Sequence, residues 1–491
     1  MTQAATGHKV ETGGACADLA FVPATVLAAR IRAGTVSPVA LTRFVLDRIA
    51  ASQPRLNAFA AIAADQALRA AEAAEAAVKG GAALGPLHGV PISVKDIVNT
   101  AGIRTCWGSR LMQDNVPAED AVAVARLKAA GAILVGKTTT SEFAHKLLTD
   151  SPLCGVTRNP WHTSLTPGGS SGGSAVAVAV GLGPLSLATD AGASTRLPAA
   201  CCGVVGLKPT LGLVPHSQVP DGFNNFIHLG VMARDVADAA AMLDVIAGPH
   251  PADPHSLKAP PPNATAALAA PLDLEHIRLR WRALCGNQHL DPDVEQLCRR
   301  ALDRLAALGA AVTEDASAIE NPDAAWTVLQ QSNWAARFGA RIDEIEPCID
   351  PSFAAGIRAA LGYSGQDVVQ ATCKRTQYFR AVQAWLGEAD FVVTPTMSRK
   401  PLAVDHPVFQ PIEVAGEPAG DMRAAWTPYL SLFDLTGHPA ISVPCGLTRC
   451  GLPVGLQIVG RWYADAAVLQ LAARLQEIVG WTAWRPPHAA S

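Results

Sequence analysis

Along the chain, stretches whose apolar residues recur every three or four positions alternate with short unbroken apolar runs. From Val22 to Gly81 the spacing is helical: "ATVLAARIRAG", "SPVALTRFVLDRIAAS" and "ALRAAEAAEAAVKGG" each gather their apolar residues on one face. Ser37 before Pro38 reads as an N-cap with proline at the first helical position, and Gly80 closes the third segment. Two β-like runs follow, Val90 to Val98 and Ala132 to Val135, separated by the helix "DAVAVARLKAAG". Runs of the same kind recur as "IRLRW", as Phe391 to Thr396, as Ala440 to Pro444 and as Val454 to Gly460. Between them "DPDVEQLCRRALDRLAALG" is a helix capped by Asp291 and ended by Gly309. This alternation predicts an α/β fold on a largely parallel or mixed sheet. The proline-dense stretch from Gly248 to Pro271 reads as a surface excursion rather than a boundary, because similar strands lie on both sides of it.

Composition narrows the function classes. For 491 residues the length prior is about three domains. Charged residues make up 16% of the chain, below the ~25% usual for globular proteins, and the net charge is −3. With no basic stripe, neither nucleic acid nor an anionic membrane is expected as a partner. The longest apolar run, Ala175 to Ala188, is too short for a membrane span. Eleven cysteines, Cys16 the first, form no C-x-x-C pair and are odd in number. They are expected as buried free thiols in a reducing cytoplasm, and the N-terminus shows no signal pattern. No clustered ligand pattern points to a metal or other cofactor, so none is expected.

Three motifs compete for the chemistry. "GAILVGKT", from Gly131 to Thr138, matches the P-loop letters. Its middle residues are themselves a strand, so their N–H groups belong to a sheet and Lys137 is expected to be structural. "GSSGG" fits a nucleophile elbow centred on Ser171, with His438 as a partner, but polar, proline-broken sequence stands where a buried strand is required. The third set uses serines with a lysine. The strand Leu185 to Ala188 breaks at Asp190 into Ala191-Gly192-Ala193-Ser194, small residues whose N–H groups can converge on an oxyanion beside a nucleophilic serine. Serine needs a base, and Lys95, in the apolar run "PISVKDIV", can serve once its ammonium is desolvated. Ser170 in "TPGGSSGGSAVAVAV" can relay a proton between them, since a hydroxyl both donates and accepts.

"GGSSGGS", "TDAGASTRLPAACCGVVGLKPT", "HGVPISVKD", "VGKTTTSEF" and "LTGHPAISVPCG…GLPVGLQIVG" together resemble the amidase signature family, and the 24-residue step from Ser170 to Ser194 is that family's own. The resemblance implies one α/β/α sandwich domain with a large mixed, mostly parallel twisted sheet. Its parts would be a core at 20–247, a divergent substrate-shaping region at 248–390, and returning strands with a C-terminal helix at 391–480. It implies Lys95 as base, Ser170 as a bridging serine after a cis peptide, and Ser194 as acyl-forming nucleophile. The N–H groups of Ala191, Gly192, Ala193 and Ser194 would hold the oxyanion. Asp190 and Arg196 would pair to hold the turn, and Ser171 and Ser174 would bond locally, with Lys95 as a candidate partner. Where the family usually has Gly-Gly before the nucleophile, this chain has Gly192-Ala193, and φ > 0 at Ala193 would be costly. The implied activity is hydrolysis of an amide, anilide or carbamate, the partners being that small substrate and water, with a homodimer as the assembly to test. Alternatives are the glutamine-amidase subunit of a tRNA-dependent amidotransferase and an inactive member. Aromatics such as Trp326, Trp334, Phe353 and Tyr378 lean the substrate toward bulky or aromatic.

Overall fold

The computed structural model describes residues 17–489, so the expectation for Cys16 lies outside the described residues. Eleven strands among them form one sheet: β1 (Phe59–Ile62), β2 (Pro91–Lys95), β3 (Ile133–Thr138), β4 (Leu185–Asp190), β5 (Val205–Lys208), β6 (His228–Ala233), β7 (Arg278–Trp281), β8 (Ala311–Glu314), β9 (Phe391–Pro395), β10 (Ala440–Leu447) and β11 (Pro453–Val459). Their order across the sheet is β1-β3-β2-β4-β6-β5-β10-β11-β9-β7-β8, with helices packed around it. Parallel pairing is confined to β3-β2-β4 and to β9-β7-β8. The other ladders are antiparallel. The sheet is therefore mixed, with less parallel pairing than helix–strand alternation implies, because β10 turns straight back into β11 and β4 pairs with β6 rather than with the next strand in sequence.

The stretch that matches the P-loop letters is β3, buried along its length and paired with β2, so its N–H groups serve the sheet. Ser37 caps the helix Pro38–Leu56 by accepting from the Ala40 N–H, and Asp291 caps Pro292–Ala307 by accepting from that of Asp293. β2 and β4 are parallel neighbours ending in Lys95 and Asp190, which brings both side chains to the same carboxyl edge of the sheet. Ligand sites of open α/β sheets gather at such edges. Into this edge runs the glycine-rich loop, which continues as the helix Gly172–Ala179, every residue of which is buried.

Candidate active site

Lys95 is fully buried at the end of β2. Burial lowers its amine to about 7, against a weaker upward pull from Asp190. Nζ donates to Ser170 Oγ at 2.7 Å and to Thr189 Oγ1 at 2.8 Å. Ser171 instead donates to the Thr189 carbonyl, and Ser174 bonds Thr138 Oγ1. Both bonds reach across the fold rather than along the chain, over 18 and 36 residues, and neither serine is a partner of Lys95; Thr189, one residue before the acidic end of β4, stands there instead.

The peptide bond between Gly169 and Ser170 is cis. Gly168 adopts φ +75°, and a Cβ on Gly169 would stand 2.7 Å from the Leu147 backbone, so the glycines answer to a left-handed turn and to a close approach. Thr149 closes the loop from beneath: its hydroxyl donates to the Gly168 carbonyl at 2.7 Å and accepts from the Gly172 N–H at 3.0 Å. The Ser171 N–H donates to the Ser194 carbonyl at 3.2 Å, tying the loop to the turn after β4.

Ser194 is 8% exposed, whereas Lys95 and Ser170 are sealed, so of the three it is the one open to a substrate. Among the described residues no hydrogen bond joins Ser194 Oγ to Ser170 Oγ. The Ser194 N–H donates to Asp190 Oδ1 at 2.8 Å, and those of Thr195 and Arg196 to Asp190 Oδ2. Ser194 is therefore not a free oxyanion donor, contrary to expectation: the carboxylate that ends β4 claims it first. The N–H groups of Ala191, Gly192 and Ala193 have no acceptor among the described residues. Ala193 is not among the residues with positive φ, so alanine there strains nothing, and its methyl is buried with Leu147, Leu148 and Leu197.

Asp190 and Arg196 pair as expected, Nε lying 2.8 Å from Oδ2, both groups fully buried. Burial alone would raise the Asp190 carboxyl; Arg196 holds it below its usual range. The guanidinium also donates to Asp434 and, at 2.8 Å, to Gln457 Oε1. Sequence reasoning missed Thr149, Asp434 and Gln457, since only tertiary pairing brings them here, and Thr189, although it directly precedes Asp190. It missed Trp326 as part of the turn as well: its indole Nε1 donates to the Ala191 carbonyl at 2.6 Å. His438, weighed as an elbow partner, is buried against Thr436 and pushed down to about 3 by burial, and turn and coil, not a strand, run from Thr157 into Ser171.

The cysteine expectation needs two corrections. Cys348, Cys373 and Cys450 are exposed, because they sit on outward helix faces and a hairpin turn. A potential ligand cluster does form: carboxylate and thiol donors of Asp96, Cys106 and Cys154 lie within 4.8 Å of one another, with Cys106 Sγ donating to Asp96 Oδ2 at 3.1 Å. Asp96 and Cys106 come from the segment after β2 and Cys154 from the tip of the hairpin at 150–156, so only the folded chain brings the three together.

A cleft of about 1340 Å³ is lined by Trp107, Phe226, Ile227, Gln330, Asn333 and Arg337, among others, though not by Lys95, Ser170 or Ser194. It shares elements with the site. Ile227 precedes His228, whose ring lies 3.3 Å from the Asp190 carbonyl, and Gln330 is one helical turn from Trp326. Phe143, Trp334, Phe338 and Phe353 pack on one another in a separate apolar cluster. No helix among the described residues is long and apolar enough to cross a membrane.

Set beside this geometry, likeness to known proteins makes the chain a hydrolase acting on carbon–nitrogen bonds other than peptide bonds. The chain matches the Amidase family over residues 40–469 and belongs to it. It is 34% identical to an acylamidase of Rhodococcus erythropolis, covering 96% of this chain and 98% of that one. It is also 34% identical to a glutamyl-tRNA(Gln) amidotransferase subunit of Chloroflexus aggregans, covering 96% and 99%. Among solved structures, a bacterial aryl acylamidase of the amidase signature family superposes with a TM-score of 0.88 at 26% identity, covering 96% of this chain and all of that one.

Proposed function

We propose that the chain is a serine amidohydrolase that cleaves an amide, anilide or carbamate through an acyl-enzyme on Ser194. The observation that carries this reading is the buried Lys95 amine, 2.7 Å from Ser170 Oγ and shifted to about 7, behind a more open Ser194. Neutral Lys95 takes a proton from Ser170 as Ser170 takes one from Ser194, whose Oγ attacks the carbonyl carbon. The Ser170–Ser194 hydrogen bond forms when the Ser194 hydroxyl turns inward on substrate binding; such bonds are often absent in free enzymes. The tetrahedral oxyanion accepts from the unoccupied N–H groups at Ala191, Gly192 and Ala193. The proton then passes back through Ser170 to the leaving nitrogen as the carbon–nitrogen bond breaks. Water attacks the ester, gives its proton along the same path, and Ser194 is regenerated.

Similarity to an acylamidase and to an aryl acylamidase supports an anilide or other bulky amide as substrate, and the cytoplasm as the place of action fits the free thiols. A panel of anilides, carbamates and short primary amides tests this: anilides should turn over fastest, and a fluorophosphonate should add to Ser194. Ser194→Ala should abolish both turnover and labelling; a variant that keeps either removes Ser194 from the mechanism. A second reading is favoured by the amidotransferase relatives: glutamine as the amide, hydrolysed inside a complex. Glutamine turnover appearing only with a co-purified partner protein would establish that reading instead.

A further inference from the structure

We infer that Arg423 forms a substrate subsite beside the nucleophile turn, one that takes a carboxylate or carbonyl oxygen borne by the acyl group. This rests on the hydrolytic reading above and names a substrate class within it. The Arg423 guanidinium lies over the Trp326 ring, 3.7 Å from its centroid, and Trp326 in turn donates to the Ala191 carbonyl. A Cβ built on Gly192 would stand 3.1 Å from Arg423 Nη1, so the guanidinium is packed against the turn that carries Ser194.

Its donors are unspent. Among the described residues the guanidinium makes no hydrogen bond, and the nearest carboxylate oxygen, Asp323 Oδ1, is 3.8 Å from Nε. That oxygen is buried without a hydrogen bond and meets Arg423 only as a long ion pair, and burial pushes the Asp323 carboxyl up to about 6. Arg196 on the other side of the turn is the contrast: fully buried, it spends its donors on Asp190, Asp434 and Gln457. Arg423 has a side chain 16% exposed, so it is largely desolvated yet still open to solvent. A guanidinium so placed loses water without gaining acceptors, a cost that a ligand oxygen would remove. Stacking on Trp326 fixes the plane of the fork, and a fixed planar fork matches a carboxylate or a carbonyl.

The test compares kcat/KM for the anilides of succinic, levulinic and pentanoic acids. Their acyl chains are of similar length and end in a carboxylate, a ketone and an alkyl group. The wild-type protein should prefer one or both oxygen-bearing acyl groups over pentanoyl by about tenfold or more. Arg423→Met should bring that ratio close to unity, whereas Arg423→Lys should keep part of any preference for succinyl. Preference for succinyl alone assigns the subsite to carboxylates; equal preference for levulinyl assigns it to neutral acceptors. A wild-type ratio near unity, or a Met variant that slows all three alike, overturns the inference and leaves Arg423 as a brace for Trp326. Failure to cleave any of the three overturns it too; if Ser194 also resists fluorophosphonate, the hydrolytic reading falls with it.

Discussion

As the proposed base, Lys95 works only without its proton, and burial supplies that condition near neutrality. Below about pH 7 the ammonium cannot accept from Ser170, so kcat/KM should rise with pH and level off above about 7, the limb reporting the free enzyme's base. Lys95→Ala should cost about 10²–10⁴-fold in kcat and flatten that limb. A wild-type limb centred near 4 would point to a carboxylate instead. Gly192 carries a second expectation. A Cβ there would meet Trp326 Nε1 at 2.6 Å, a distance real side chains do not adopt, so the indole must leave the Ala191 carbonyl. Gly192→Ala should therefore lower kcat about tenfold or more by displacing the donor turn, with a shift in tryptophan fluorescence. Normal kinetics with unchanged emission would show the turn to be independent of Trp326. The neighbouring Ala193 shows how much of this was readable from the chain. That a small residue follows Gly192 is plain in the sequence, but whether its φ is positive is decided by the Asp190 carboxylate capturing three successive N–H groups, which only the folded turn reveals.

The turn is held between the end of β4 and the helix Arg196–Cys202 by one guanidinium shared between Asp190 and Asp434. Both carboxyls are fully buried, and burial raises Asp434 well above the usual carboxylate range. Arg196→Met would leave them without the cation they share, the nearby Lys208 amine being itself lowered by burial to about 7. Breaking a buried pair from one side costs about 3–5 kcal/mol. The variant should lose that much in urea unfolding and lose activity as well; a loss below about 1 kcal/mol would mean the carboxyls can protonate or rehydrate without cost. Of the elements that build this clamp, β2, β3 and β4 were legible because each is an apolar run bounded by glycine, proline or charge. The helices at Pro38 and Asp291 were legible from their caps. The helix from Pro38 runs on through Pro54 to Leu56, beyond the span its periodicity marks, since a proline in the last turn removes a single N–H. β8 was not legible: all four of its residues are exposed at the sheet's edge, so no alternation of apolar and polar positions marks it.

Strands from residues 59–233, from 278–314 and from 391–459 share a single sheet, so the stretch 248–390, expected to be divergent, contributes β7 and β8 to the common sheet. The triad candidates could be chosen from residue type and spacing, but the groups that hold them come from strands and helices far away in sequence. Lys95, Lys137 and Lys208 are all fully buried, and burial lowers each to about 7. Lys137 donates to the Val98 carbonyl and, at 2.9 Å, to Thr100 Oγ1, with Asp96 pulling its amine only partly back. In the unfolded chain a lysine keeps its proton to about pH 10. Above pH 7 the unfolded state thus binds more protons than the folded one, and the unfolding free energy must rise with pH. Buried thiols such as Cys201, raised by burial, reverse the trend once unfolded thiols ionise near about pH 8.5. Between these limits each such lysine adds a slope of up to about 1.4 kcal/mol per pH unit. Urea unfolding at pH 7, 7.5, 8 and 8.5 should show the rise, and Lys137→Met, which takes no part in the proposed chemistry, should reduce its slope by about one proton's worth. An identical slope in the variant would mean that Lys137 stays charged in the core, its cost met by Asp96.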